Sequence, residues 1–251
     1  MRGETALILS LITHPPIMIL LLQTNALGVE AVAHINPLMP PDLPEVLRVC
    51  ADPSLEGDVA WAAGEWSRAL ASYGVRLRLE SARDGCAAYV QSSDTPLGEN
   101  LGGHIGIGTI EIKPKNWKPG MIAGPDDMRF SNLDVIKVTV WNTDNARLRR
   151  GAILHELGHV LFLSHLVDFR GIGPRPVMLD RMDPGNPPES VTELDAYFAW
   201  LTHSYCRDKA CPLMHVRMSN ALASAAVATA VSAGVALTLM VADFGRVRRK
   251  A

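Results

Sequence analysis

The sequence predicts an α+β fold: a mixed, twisted sheet, a histidine-bearing helix, a second helix at the end of the globular part, and a separate C-terminal transmembrane helix. Several short segments that precede the histidine-bearing helix alternate apolar and polar residues, which is typical of strands. Two longer segments place apolar residues at helical spacing instead. A third segment, near the C-terminus, carries no charge and is long enough to cross a bilayer.

The globular part is predicted between residues 45 and 206. Its first strand, 46–50, precedes a helix over 57–73, in which apolar side chains recur every three or four residues. Gly74 follows as the helix stop, because glycine accepts the left-handed conformation that ends many helices. Further strands are predicted at 75–79, 87–91, 104–112 and 135–141.

A second amphipathic helix is predicted at the end of the globular part. Ser190 and Glu193 have the spacing of a capping box, so the helix is expected to begin at Ser190. Its apolar stripe, which predicts one face packed on the core, consists of Val191, Leu194, Phe198, Leu201 and Tyr205.

Residues 1–33 predict a signal peptide. The run from Ala6 to Leu22 is mostly apolar, Arg2 precedes it, and small residues suited to cleavage follow it. An uncleaved membrane anchor is the alternative for this segment. Residues 34–44 are rich in proline and predict a linker.

Residues 221–242 predict the transmembrane helix. As a helix this segment would rise about 33 Å, which matches a hydrocarbon core of about 30 Å. The tail 243–251 is basic, and basic flanks stay cytoplasmic. The globular part and the juxtamembrane linker 207–220 are therefore expected outside the cytoplasm, with a lipid bilayer as partner. A buried alanine-rich helix is the weaker alternative, because the segment lacks any polar stripe.

Composition disfavours nucleic-acid binding. Hydrophobic residues make up 48% of the chain, charged residues 20%, and the formal net charge is -2, whereas nucleic-acid binders usually present a clustered basic face. Four cysteines in an exported protein predict two disulfides, Cys50–Cys86 and Cys206–Cys211. The alternative is a second, structural zinc site formed by His203, Cys206, Cys211 and His215.

Residues 155–165, His-Glu-Leu-Gly-His-Val-Leu-Phe-Leu-Ser-His, carry the clearest chemical signal. Thr143 or Asp144 is predicted to cap a helix that continues through Leu161. On that helix His155 and His159 are one turn apart, so both imidazoles face the same way and suit two corners of a tetrahedral zinc site. Glu156 beside them can act as acid/base on a water at the metal without being a ligand.

A catalytic zinc site needs a third protein ligand. His165 is the predicted third ligand, and the chain must bend sharply after His159 to bring it back, because a continuous helix would turn it away. Glu189 or Glu193 on the later helix is the alternative, as in glutamate-type zinc peptidases. Asp126 and Asp127 are a further candidate, for structural calcium, although two acidic residues in a turn are usually only solvated.

The HExxHxxxxxH layout resembles that of the metzincin clan of zinc endopeptidases, and especially its matrixin-like members. The resemblance extends to the order of elements from Val46 onward, to the C-terminal helix, and to Met178, which lies where that clan has its Met-turn beneath the metal. It implies peptide or protein substrates, bound in extended form along the strand 104–112. It also implies a specificity pocket formed partly by the loop 166–178.

One position departs from the clan pattern: Phe162 stands where a glycine usually forms the bend. Glycine accepts positive φ at little cost, so phenylalanine is expected to introduce strain unless the bend uses other angles. This departure favours one opposing hypothesis, a catalytically idle binding or adhesion module. Glu156 argues against that hypothesis, because a purely structural metal site does not need it.

Overall fold

The computed structural model describes residues 29–33, 39–97, 99–100, 104–105, 107–119, 126–170, 174–205 and 214–218. The chain divides into two compact units, one made of residues 31–169 and 173–216, the other of residues 1–30, 170–172 and 217–251. The three α-helices and the main sheet lie in the first unit.

The described residues form ten strands and three α-helices. The strands are β1 Val29–Ala33, β2 Val46–Ala51, β3 Arg78–Ser81, β4 Ala88–Ser93, β5 Glu99–Asn100, β6 His104–Ile105, β7 Gly108–Glu111, β8 Ile136–Trp141, β9 Leu166–Arg170 and β10 Met214–Met218. The helices are α1 Glu56–Ser72, α2 Ala146–Val160 and α3 Glu193–Trp200, with a 3-10 turn at Phe130–Asn132 and a π-helical turn at Leu201–Tyr205.

The main sheet has five strands in the order β3-β2-β4-β8-β7. The first four run parallel, and β7 pairs antiparallel with β8 at the edge. The fold is therefore a mixed α/β arrangement around a mostly parallel sheet. Inward-facing side chains such as Leu47, Val49 and Val138 are fully buried, as expected for a sheet that helices cover. Two small sheets have the orders β10-β1-β9 and β5-β6.

Helices α1 and α2 are joined by polar contacts as well as by apolar packing. The indole Nε1 of Trp66, which is fully buried, donates to the backbone oxygen of Leu154 over 2.7 Å. Asp58 in α1 accepts hydrogen bonds from Nε of Arg149 at 2.8 Å and Nε of Arg150 at 2.7 Å. These contacts fix the position of α2, the helix that carries the histidines, against α1.

The structure corrects several predicted element boundaries. The predicted strand 104–112 is interrupted and gives two strands, β6 and β7. The predicted strand 75–79 begins only at Arg78, because the backbone N–H of Val75 instead bonds to Leu70 at the end of α1. The side chains of Val75 and Leu77 are buried, although these residues precede the strand. Their burial explains the alternation of apolar and polar residues that predicted a strand here.

Both helix caps were predicted one or two residues too early. Asn145, rather than Thr143 or Asp144, caps α2 by accepting from the backbone N–H of Leu148. The capping box of α3 is formed by Thr192 and Asp195, not by Ser190 and Glu193. Several neighbouring residues could cap each helix, and packing of the helix decides which of them is used.

The two predicted export and membrane segments are mostly outside the described residues. Only 29–33 of the signal segment is described, as strand β1, and 221–242 lies wholly outside. In the described part of the chain no helix is both long and apolar enough to span a bilayer. The described part of the proline-rich segment is held in place, since the Asp42 carboxylate accepts from the N–H groups of Phe130 and Ser131.

A disulfide joins Cys50 in β2 to Cys86, just before β4, with a Cα–Cα distance of 5.6 Å. It links neighbouring strands of the main sheet and encloses α1 and β3 in its loop. The other predicted pair, Cys206 and Cys211, lies outside the described residues.

Replacing both Cys50 and Cys86 by alanine is expected to lower the free energy of unfolding by about 3–4 kcal/mol, because the disulfide restricts a long loop of the unfolded chain. Urea unfolding of parent and variant measures this difference. A reductant should bring the parent to the level of the variant and leave the variant unchanged. Equal stability of the oxidised parent and the variant would contradict the expectation.

Candidate metal centre

Helix α2 and the turn after it bring three histidines together. His155 and His159 lie one helical turn apart in α2, and His165 follows the turn. The Nε2 atom of His165 is 3.2 Å from Nε2 of His155 and 3.0 Å from Nε2 of His159. Within the described residues these three form the group of side chains that could hold a metal ion.

The spacing of these nitrogens fits a shared metal. Two imidazole nitrogens at the usual zinc distance of about 2.0–2.1 Å and at the tetrahedral angle would lie about 3.3 Å apart. The Nε2 atom of His165 lies 3.0 and 3.2 Å from the other two Nε2 atoms, close to that value. The donors are three imidazoles, a set that suits zinc, copper, iron or nickel.

Backbone carbonyls orient two of the rings. Nδ1 of His155 lies 2.7 Å from the oxygen of Val177, and Nδ1 of His159 lies 2.7 Å from the oxygen of Leu163. A carbonyl can only accept, so in each ring Nδ1 is the protonated nitrogen and Nε2 presents its lone pair to the centre. Such contacts fix both the tautomer and the orientation of a metal-binding histidine.

Burial keeps these rings neutral. It lowers the pKa of His155 to about 3 and of His159 to about 4, and the neighbouring histidines add to both shifts. Burial also lowers the pKa of His165, although Asp180 opposes this. Neutral imidazole is the form that binds metal, so the site does not need to lose protons before binding near pH 7.

The turn after α2 has the hydrogen bonds of a Schellman motif. The N–H of Phe162 bonds to the oxygen of His159 at 2.9 Å, and the N–H of Leu163 bonds to that of Gly158 at 3.1 Å. Such a motif requires a left-handed residue at the position of Phe162, most often glycine. Phe162 adopts φ 60 and is 1% exposed. The bend therefore uses the usual angles, with a buried aromatic ring in place of glycine.

Met178 packs against α2 at Gly158 and is fully buried. The approach is close: a Cβ added at Gly158 would collide with the Met178 sulfur and lie 2.9 Å from Cζ2 of Trp66. Glycine at 158 is therefore required by packing, not by backbone angle. The oxygen of Met178 also accepts from the N–H of Leu166 at 2.6 Å, which holds the start of β9, and hence His165, next to this turn.

Asp195 in α3 binds the backbone of the turn that contains Val177 and Met178. Its fully buried carboxylate accepts from the N–H of Val177 at 2.9 Å and from that of Met178 at 3.0 Å. It also accepts from the N–H and the hydroxyl of Thr192. Burial raises the pKa of Asp195, while these hydrogen bonds oppose the shift. Because the oxygen of Val177 accepts from Nδ1 of His155, Asp195 is linked through Val177 to one of the three histidines that could hold a metal ion.

Glu156 follows the first histidine on α2 and is 6% exposed. Burial raises the pKa of its carboxyl group from 4.5 to about 7. A carboxylate with a pKa near neutrality can both accept and return a proton at physiological pH.

The remaining predicted ligands are not part of this group. Glu189 pairs with Arg147, and Glu193 accepts from the hydroxyl of Tyr73 at 2.9 Å. The side chain of Asp126 is fully exposed, 4.0 Å from Arg129. Of the alternative zinc set, His203 is buried in the π-helical turn, while Cys206 and Cys211 lie outside the described residues.

The sequence did not predict that Asp195 and Gly158 support the site, nor that two backbone carbonyls accept hydrogen bonds from the histidines. Asp195 had a signal, since Thr192 and Asp195 have capping-box spacing, but the neighbouring Ser190 and Glu193 have it too. The carbonyls of Val177 and Leu163 have no signal in the sequence, because every residue carries a backbone oxygen.

No protein-family model matches the chain, and no curated protein matches its sequence.

The left-handed angle at Phe162 predicts an unusual order of stability for two variants. Phe162→Ala and Phe162→Gly both remove a buried ring and should cost several kcal/mol. Alanine also keeps the strain of positive φ, so Phe162→Gly should be the more stable of the two by about 1 kcal/mol. Urea unfolding measures both, and the reverse order would rule out the left-handed turn.

The raised pKa of Glu156 predicts a pH-dependent gain for Glu156→Gln. The folded-state pKa, about 7, exceeds the ordinary value of 4.5. Stability from this group is thus fully present below pH 4.5 and is lost as pH rises through 7. Glutamine does not ionise, so the metal-free variant should exceed the parent by about 2–3 kcal/mol at pH 8 and by little at pH 4.5. The measurement is urea unfolding with a chelator at both pH values. Glu189→Gln, at an exposed site, is the control; a gain in Glu156→Gln that did not depend on pH would contradict the expectation.

Proposed function

We propose that this chain is a zinc-dependent endopeptidase of the metzincin type, similar to the matrixins. The observation that carries the proposal is the convergence of the Nε2 atoms of His155, His159 and His165 beside a buried Glu156. A bend at the clan's usual position and a buried methionine, Met178, packed against α2 add support. Both features were expected from the resemblance, and neither is needed for a lone metal-binding helix.

Zinc fits the residues better than other metals. Three histidines leave one tetrahedral position for water or substrate, which is the arrangement of catalytic rather than structural zinc. When bound, zinc would polarise a peptide carbonyl and lower the pKa of water to about 7. His155 and His159 are already neutral and oriented for such an ion.

Glu156 is the proposed acid/base. It would take a proton from the attacking water and return it to the leaving amine, two roles that suit a carboxyl group whose pKa burial raises to about 7. No covalent intermediate with the enzyme is required.

Strand β7 is the proposed substrate-binding edge. It ends the main sheet, so one side of its backbone has no strand of that sheet beside it. A peptide added there would gain backbone hydrogen bonds with little sequence selectivity. The loop 166–178 would supply side-chain specificity.

The proposal includes anchoring by residues 221–242, with the catalytic domain outside the cytoplasm. Its support is the sequence of the two terminal segments, together with the Cys50–Cys86 disulfide, a bond that persists in oxidising compartments.

Zinc content and peptide cleavage, measured together on the full chain, test the proposal. The parent should hold one equivalent of zinc and cleave unstructured peptides, detected by mass spectrometry. Glu156→Ala should keep the zinc and lower the cleavage rate by at least about 10³-fold, because the variant can no longer activate the attacking water. This magnitude is within the range that general acid–base catalysis contributes. His165→Ala should lose most of the zinc.

Two controls separate the alternatives. Glu189→Gln and Glu193→Gln should keep both zinc and activity; zinc loss in either, with retention in His165→Ala, would favour a glutamate-type site. Zinc in the parent without cleavage of any peptide in a random library would favour an idle binding module. A folded parent that binds no zinc would overturn the proposal.

A further inference from the structure

Strand β7 passes directly over the side chain of Glu156. A Cβ added to Gly108, the first residue of β7, would lie 2.5 Å from Oε1, 2.8 Å from Cγ and 3.0 Å from Cδ of Glu156. Real Cβ atoms do not approach other atoms so closely, and the near atoms include Cγ as well as the flexible end of the glutamate. Gly108 does not have positive φ, so glycine is needed here for space alone.

The strand has little freedom to move away. Gly108 pairs with Val140 of β8, and the N–H of Trp141 bonds to the oxygen of the preceding Ile107 at 2.9 Å. The next residue of β7, Thr109, pairs with Thr139 of β8. Strand β8 is itself paired with β4 on its other side, so a shift of β7 would disturb the ladder.

The helix has little freedom either. Glu156 lies in α2 between Leu154 and Leu157, both fully buried, and α2 is held by Trp66 through Leu154. Between a fixed strand and a fixed helix, the side chain of Glu156 is the part that must yield if Gly108 acquires a Cβ.

We propose that Gly108 is a positioning residue for Glu156: its missing side chain leaves the space that sets where the carboxylate lies relative to the three histidines. The inference rests on the proposed function for its catalytic consequence, but its geometric part does not. Glu156 touches the reacting atoms in the proposed reaction, and Gly108 acts only through it.

A double-mutant cycle on the full chain tests the geometric part without any activity. Gly108→Ala should lower Tm by roughly 2–10 °C, the range for overpacking a close contact in a domain of this size. In the Glu156→Ala background the glutamate atoms are gone, so the same Gly108→Ala change should cost almost nothing. Gly64→Ala, in α1, is the control for adding a methyl group in open space, since a Cβ at Gly64 meets nothing within 4 Å. It should raise Tm or leave it unchanged, because alanine has the higher helix propensity. An equal loss in both backgrounds would overturn the inference, because the alanine would then disturb the strand itself.

Kinetics test the catalytic part. Gly108→Ala should keep one equivalent of zinc and lower kcat, measured at saturating peptide, by about 10²-fold, the effect expected of a misplacement of about 1 Å. KM does not enter this test, because Gly108 belongs to β7, the proposed substrate-binding edge. In the Glu156→Asp background, whose shorter side chain leaves room for the added Cβ, the same change should lower kcat much less than in the parent. If the stability cycle shows that Gly108→Ala and Glu156→Ala interact but kcat of Gly108→Ala is unchanged, Gly108 does not position Glu156 for catalysis. A parent without any cleavage activity would instead defeat the proposed function, and the stability cycle would still decide the contact.

Discussion

Three histidines on one short stretch of chain can face a single point only if the chain reverses direction immediately after the second. A helix extended past His159 would carry His165 to another side. The Schellman turn at the end of α2 provides the reversal, and its geometry depends on one backbone angle, the left-handed φ of Phe162. Glycine would accept that angle at low cost. Here a ring that is 1% exposed compensates, because burying a phenylalanine stabilises a protein by more than the strain of one left-handed residue costs.

The centre is supported by a second layer of polar groups, and that layer is built largely from backbone. The carboxylate of Asp195 accepts hydrogen bonds from the N–H groups of Val177 and Met178. The backbone oxygen of Val177 accepts from Nδ1 of His155, and that of Leu163 accepts from Nδ1 of His159. The Asp195 contacts are buried and the two histidine contacts are part-buried, so these groups would be costly if left unpaired. The network therefore couples α3, the turn at Met178 and α2, so that the positions of His155 and His159 depend on the packing of these elements.

At two positions near the candidate centre a side chain packs directly against the backbone of a glycine. Gly158 admits Met178 beneath the helix and Gly108 admits Glu156 beside β7, and in both cases the absence of a Cβ matters while the backbone angle does not. Gly158 belongs to α2 and Gly108 to β7. The buried Glu156 is a destabilised group at neutral pH, since burial disfavours its charge, and such local cost is common where a side chain is kept for chemistry.

The sequence by itself determined the spacing of His155, Glu156, His159 and His165, and the positions of the first strand, α1 and α2 to within a residue or two at their starts. These features are local: helical periodicity and one-turn spacing are set by neighbours along the chain. The resemblance to the metzincin clan, added to the sequence, singled out Phe162 as the residue at the bend. Tertiary structure decided the rest. It decided that Phe162 keeps the left-handed angle, because only packing can offset that strain. It selected Asn145 and Thr192 as caps over equally suitable neighbours. It also brought Asp195, Gly108 and the carbonyl of Val177 to the centre, since contacts between residues distant in the chain leave no periodic pattern in the sequence.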